Sequence, residues 1–97
     1  MPTYVCLANW TQKGIESIKE SPSRLDAGKK LFRELGVEVK AFYMTSGRYD
    51  VVLVLEAKDD AALARAALAQ GSMGALRTET LRAYTEDEYR KVIASLP

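Results

Sequence analysis

The segment that most restricts how this chain can fold is residues 45–56, where Thr45-Ser46-Gly47-Arg48-Tyr49-Asp50 runs into Val51-Val52-Leu53-Val54-Leu55-Glu56. An unbroken apolar run rich in valine is a strand, and with no polar position from 51 to 55 it belongs to a strand covered on both faces. The six residues before it read as the tip of a β-hairpin, with Gly47 supplying the backbone freedom a tight reversal needs. The first arm is then residues 37–45. A regular pleat places Val39, Ala41 and Tyr43 on one of its faces and Lys40, Phe42 and Met44 on the other.

The rest of the chain divides by the same kind of signal. Residues 3–9, Thr3-Tyr4-Val5-Cys6-Leu7-Ala8-Asn9, form a first strand that Asn9-Trp10-Thr11 ends. Thr11 can cap a helix opening at Gln12, with Ile15 and Ile18 on one side. Ser21-Pro22 then intervenes. Proline inside a helix costs about 3 kcal/mol, whereas a serine cap followed by proline at the first helical position is favourable, so a kink or restart is expected. Leu25, Gly28, Phe32 and Leu35 keep helical spacing up to Gly36, the left-handed stop. Asp59 or Asp60 caps an alanine-rich helix over residues 61–70, with Leu63, Ala64, Ala67 and Leu68 as a narrow stripe for close packing on a sheet. After a loop at Gly71-Ser72-Met73-Gly74, residues 76–84 alternate as a strand. Leu76, Thr78, Thr80, Arg82 and Tyr84 share one face, and Arg77, Glu79, Leu81 and Ala83 the other, a pattern polar enough for an edge. Thr85-Glu86-Asp87-Glu88 matches a capping box and opens a last helix with Tyr89, Val92, Ile93 and Leu96 on one stripe.

The order β-α-β-β-α-β plus a C-terminal helix predicts an α+β protein of the ferredoxin-like, split β-α-β type with a four-stranded antiparallel sheet. Right-handed crossovers put both main helices on one face of that sheet. The other face, on the order of 300 Å² in projection for four strands about 4.8 Å apart, is left uncovered by the chain itself. A second copy is the simplest cover, which implies a homodimer or higher oligomer of the dimeric α/β-barrel type. Ninety-seven residues have room for one core, so residues 1–97 are expected to be one domain. A net charge of +1 with 28% charged residues gives no bulk attraction to nucleic acid or to an anionic membrane, and neither is expected as a direct partner. The apolar run at 51–55 is far shorter than the roughly 20 residues of a membrane span. With no histidine in the chain, Ser-His-Asp catalysis, histidine-bound zinc and histidine-ligated haem are excluded. No cofactor and no metal are expected. The lone cysteine, Cys6, cannot pair internally, no charged-then-apolar leader precedes Thr3, and the expected compartment is the cytoplasm.

Gly47-Arg48-Tyr49-Asp50 followed by a valine-rich strand resembles the GYD domain family and its Gly-x-Tyr-Asp signature. Thr11-x-x-Gly14-Ile15, Ser21-Pro22-x-Arg24, Thr78-Glu79-Thr80 and Ala83-Tyr84-Thr85-Glu86 carry the same likeness over nearly the whole chain. The resemblance implies a ferredoxin-like α+β fold in a small bacterial protein and brings no activity with it. Residues 47–80 are also similar, more loosely, to the ligand-sensing domain of the Lrp/AsnC regulators, which pair through sheet faces and bind small effectors at subunit interfaces. This chain has no helix-turn-helix, so DNA readout would need another polypeptide.

The candidate ligand-binding residues are Gly47, Arg48, Tyr49 and Asp50, joined by Thr78, Glu79 and Thr80. A guanidinium fits a carboxylate bidentately, the tyrosine ring stacks and the aspartate accepts from an amine. The same residues have plainer roles, Asp50 satisfying turn amides, Tyr49 lying on the sheet and the threonines alternating along an edge strand. Arg24, near a helix start, is either an anion contact or a solvated surface charge. Trp10 is either a core anchor or a pocket wall. No nucleophile-base pair is evident. Three function classes therefore stand. The favoured one is a homo-oligomeric module that binds or senses a small polar organic ligand, expected to bear a carboxylate. The second is a cofactor-independent oxygenase or isomerase with Tyr4, Tyr43 or Asp50 as acid or base, and the third a structural oligomerisation protein.

Overall fold

Alternation along two strands sets the core. In β3 (Val51–Ala57) every second residue, Val51, Leu53, Leu55 and Ala57, is buried, and in β1 (Thr3–Trp10) so are Tyr4, Cys6 and Ala8. These two strands pair antiparallel with Tyr4 opposite Leu55, Cys6 opposite Leu53 and Ala8 opposite Val51, so their apolar positions form one continuous surface. The computed structural model describes residues 1–97 and places these strands at the centre of a four-stranded antiparallel sheet. β2 (Val37–Met44) flanks β3, and β4 (Leu76–Ala83) flanks β1, giving the order β2-β3-β1-β4. Four helices complete the chain: α1 (Gln12–Glu16), α2 (Ser21–Glu34), α3 (Asp60–Ser72) and α4 (Glu86–Ala94), with a single 3-10 turn at Ile18–Glu20 between the first two. This is the split β-α-β arrangement with a C-terminal helix that the sequence predicts.

Helix ends follow their local chemistry. Thr11 caps α1 by accepting from the Gly14 amide, Asp59 caps α3 by accepting from Ala62, and Thr85 and Glu88 form a reciprocal capping box at α4. The restart at Pro22 takes a different form from the expected serine cap. Ser21 is itself helical, with φ −55° and ψ −44°, so the chain passes from the 3-10 turn straight into α2. Pro22 therefore stands in the first turn, where a missing N–H removes no intrahelical bond.

Two face assignments differ from the regular pattern. In β2 the pairing shifts between Val39 and Ala41, leaving Lys40 as a bulge, so Val39 opposes Leu55 while Phe42 opposes Leu53. One extra residue reverses the pleat. Val39, Phe42 and Met44 consequently share the helix-covered face, and Ala41 and Tyr43 join Glu38 on the open one. In α3 the buried residues are Ala62, Leu63 and Ala66, whereas Ala64 is exposed and Leu68 is 75% exposed. The helix turns its smallest side chains to the sheet because alanine permits the closest approach of backbone to strands.

The open face carries Val5, Leu7, Ala41, Val52 and Val54, each half-buried by its neighbours, with Leu81 beside them. Glu38 and Glu56 stand directly opposite one another at one end, and Arg77 pairs with Asn9 at the other. Helix α4 leaves the acidic end and has no buried residue; Tyr89, Val92, Ile93 and Leu96 are about half exposed or more. The chain is consequently long and flat, 52 × 30 × 17 Å.

Candidate functional site

The turn between β2 and β3 is built by its own sequence. Gly47 adopts φ 139°, a backbone conformation that side-chain-bearing residues rarely take. The Thr45 amide donates to the Asp50 carbonyl at 2.8 Å, and the Thr45 hydroxyl to the Tyr49 carbonyl at 2.6 Å, closing the reversal. Asp50 then ties the turn to β1. Its carboxylate accepts from the Trp10 amide at 3.1 Å, and its own amide is shared between the Ala8 carbonyl and Asn9 Oδ1, both at 3.0 Å. Tyr49 reaches across to β4, donating to Glu79 Oε2 at 2.7 Å, a bond that raises the phenol above its ordinary pKa and keeps it protonated. Arg48 stacks loosely on Tyr49, 6.0 Å from the ring centroid, and forms no ion pair.

Of the seven predicted site residues, the fold thus gathers Gly47, Arg48, Tyr49, Asp50 and Glu79 at one end of the open face. Thr78 and Thr80 belong to the opposite face, in register with Ala8 and Cys6, and line two separate hollows under the helices. The groups named for acid-base work do not converge either. Tyr43 is on the open face of β2, while Tyr4 and the Asp50–Trp10 contact sit at opposite ends of β1, roughly 20 Å apart at about 3.3 Å per residue.

The hollow under α3 is a shallow cleft holding Tyr4, Asp60, Thr80 and Arg82. The Tyr4 hydroxyl donates to Asp60 Oδ1, and this bond, with burial of the ring, raises the phenol above its ordinary pKa. Arg82 stacks 5.6 Å from the Tyr4 ring and 4.7 Å from the Tyr84 ring. A phenol held protonated against a carboxylate can bind a polar group, but it is a poor base or nucleophile. The hollow under α2 is narrower and apolar, with Trp10, Phe32 and Phe42 in its walls and Arg24 at its rim. Cys6 lies at its floor, and burial raises its thiol pKa, which suits an inert core residue.

Arg24 is not a free surface charge. It donates to the Ser17 carbonyl at 2.8 Å, to Ser17 Oγ at 3.1 Å and to the Gly14 carbonyl at 3.1 Å, pinning α1 and the 3-10 turn to α2. Gly14 is tight for another reason: a Cβ there would run into the Ala75 carbonyl oxygen, which already accepts from the Thr11 amide at 3.0 Å. Thr11 completes the joint by donating to the Gly74 carbonyl. The Arg24 contacts and both hollows escaped sequence reasoning because they depend on how far each helix stands from the sheet. One signal was present: Gly28, a residue without a side chain in the middle of an apolar helical stripe.

An antiparallel split β-α-β sheet with helices on one face and an uncovered apolar face on the other defines a small α+β domain of the ferredoxin-like type. The chain belongs to the GYD domain family, whose model matches residues 4–93. It is 42% identical over 84 residues to the glutamine synthetase and cystathionine beta-lyase binding protein of Thermus thermophilus, an alignment covering 86% of this chain and 88% of that protein. A crystal structure of a protein from Thermus thermophilus superposes with a TM-score of 0.52 at 28% identity, covering 88% of this chain and 95% of its own.

Proposed function

We propose that this chain is a small binding and sensing module that works as a homo-oligomer and acts on other proteins, enzymes among them, rather than transforming a substrate itself. The observation that carries the reading is the pair of apolar surfaces the chain leaves uncovered, the open sheet face centred on Val52 and Val54 and the detached stripe of α4. The face alone, on the order of 500 Å² in projection for four strands of seven or eight residues, is small beside the roughly 800 Å² per partner of a standard stable interface. The exposed α4 stripe supplies further area. Charge favours a particular pairing. A two-fold axis across the strands would bring the Arg48 turn of one protomer over the Glu38–Glu56 end of the other, where two like charges face each other within the sheet. The relative named for binding glutamine synthetase and cystathionine beta-lyase supports an enzyme as the further partner. A carboxylate-bearing ligand at the turn, on a subunit boundary, would rest on Arg48, since Tyr49 and Asp50 are committed to Glu79 and Trp10.

Light scattering after size exclusion tests the reading, first alone and then with purified glutamine synthetase. The expected result is a mass of at least twice 10.7 kDa, falling to the monomer in Val54→Lys with sheet content unchanged, and co-elution of wild type with the enzyme. A stable monomer at micromolar concentration removes the assembly. Failure to co-elute with glutamine synthetase removes that enzyme as a partner, and the same run with cystathionine beta-lyase decides the other.

A further inference from the structure

Helix α4 has the properties of an arm. It buries none of its own residues, and its stripe of Tyr89, Val92, Ile93 and Leu96 is 49% to 61% exposed. Nine residues are fewer than the roughly 12–15 that leave an isolated helix even marginal in water, and a capping box with one Glu86–Arg90 pair offsets only part of that shortfall. The stripe therefore needs a surface that its own chain does not give it. Overall shape agrees: the radius of gyration is 14.6 Å, against about 12.5 Å for a compact domain of this length.

A surface to receive it lies at the other end of the sheet. There the junction of β1 with α1 is tied to the loop before β4, by the Thr11 amide on the Ala75 carbonyl at 3.0 Å and by Lys13 Nζ on the Met73 carbonyl at 3.2 Å. Ile15 and Met73 are 47% and 52% exposed in this joint, and Arg77, next to it on β4, forms no ion pair. In the first turn of α4, Glu86 is paired with Arg90 and Glu88 lies 4.0 Å from Arg82, whereas Asp87 has no counter-charge. The two-fold axis described above runs across the strands and lays each strand over its own copy reversed. The Arg77 end of one β4 then meets the Ala83 end of the other, from which the partner's α4 departs.

We propose that α4 is exchanged between two copies of this chain, its stripe seated on the joint of the partner against Ile15 and Met73, with Asp87 on Arg77 of the partner subunit. The inference rests on the homo-oligomer proposed above and adds the element that completes its interface. Area favours a second copy over an unrelated peptide. The sheet face falls about 300 Å² short of a standard interface, and four large apolar side chains at roughly 60–120 Å² each make up that difference. Stripe and joint recur on every chain, so a two-fold pair leaves neither uncovered.

Dimer dissociation constants of full-length chains, measured by analytical ultracentrifugation, test the exchange. Ile93 is not buried by its own chain, so Ile93→Asp should leave circular dichroism unchanged while weakening the dimer about a hundredfold, the side chain being lost twice per dimer. Arg77→Glu and Asp87→Lys should each weaken it about tenfold by setting like charges against each other. Mixing these two variants should bring the affinity back to within about threefold of wild type, because in the mixed dimer both contacts again join opposite charges. An effect confined to one chain is not repaired by mixing. A wild-type monomer overturns this inference together with the assembly it rests on. A dimer that dissociates in Val54→Lys but is unmoved by Ile93→Asp, or single variants that mixing does not rescue, overturns the exchange alone. If Ile93→Asp keeps the dimer and loses co-elution with glutamine synthetase, the arm belongs to the enzyme, which likewise overturns the exchange.

Discussion

Helices α2 and α3 cover the same face of one sheet and are nearly equal in length, 14 and 13 residues, yet α3 buries Ala62, Leu63 and Ala66 while α2 buries nothing completely. The difference comes from side-chain size at the contact. Alanine at positions 62 and 66 lets the α3 backbone settle on Tyr4 and Leu55, and what remains is a shallow cleft. Under α2 the contact is made by Phe32 and Leu35 meeting Val39 and Phe42, large groups that prop the helix up, and Gly28 between them fills none of the gap. The α3 backbone therefore sits closer to its strands than the α2 backbone does. The space under α2 is more enclosed and apolar, and that beside α3 is an open cleft.

Paired substitutions should break this comparison most visibly. Ala66→Leu forces three heavy atoms into a fully buried contact and should cost about 3 kcal/mol in urea unfolding, the upper part of the usual range for overpacking. Gly28→Ala, in the middle of α2, should instead stabilise by about 0.5–1 kcal/mol, because the helix gains propensity and the added methyl has space. Equal destabilisation by both would mean that α2 is as tightly seated as α3.

A smaller effect sharpens the comparison at the wall of the α2 hollow. Asp50→Ala leaves the Trp10 amide without its acceptor and should lower stability by about 2 kcal/mol, with a shift in Trp10 emission. Arg48→Ala, beside it but bound to nothing except the Tyr49 ring, should change stability by less than about 0.5 kcal/mol. If both variants behave alike, the signature does not clamp the strand.

The smallest effect is confined to alkaline pH and belongs to the α3 side. The Tyr4–Asp60 bond raises the folded pKa of the phenol above its ordinary value of about 10, so its contribution is fully present below that pH and is lost as pH rises through the folded value. Wild type should therefore lose stability relative to Tyr4→Phe when urea midpoints are followed from about pH 9 to pH 11. A constant difference across that range would mean that the phenol is not held by Asp60.

Much of this architecture is legible in the residues because it rests on local rules. Thr11, Asp59 and the Thr85–Glu88 box cap the helices where their side chains dictate, Gly36 stops α2 at φ 85°, and β4 alternates as written. What escaped depends on a choice between near-equal alternatives. The bulge at Lys40 adds one residue to a strand whose two faces are of similar polarity, so nothing in the pattern signals the slip. In α3 nearly every face is apolar, and the choice of Ala62 and Ala66 over Leu68 is made by closeness of approach to the sheet. The Gly-x-Tyr-Asp signature reads in the sequence as a candidate ligand site, and what its hydrogen bonds show is a fastening between β1, β3 and β4.

The bulge at Lys40 also bears on how a chain with exposed valines stays out of fibres. β2 is an outer strand, with a row of backbone groups available to any extended peptide that meets it. A lysine left out of the ladder bends that strand, adds local twist and puts a charge where a flat incoming strand would have to lie, three features that oppose edge-to-edge growth. Lateral addition of sheets is discouraged there. The apolar face of this protein can then stay open without the edge recruiting further chains.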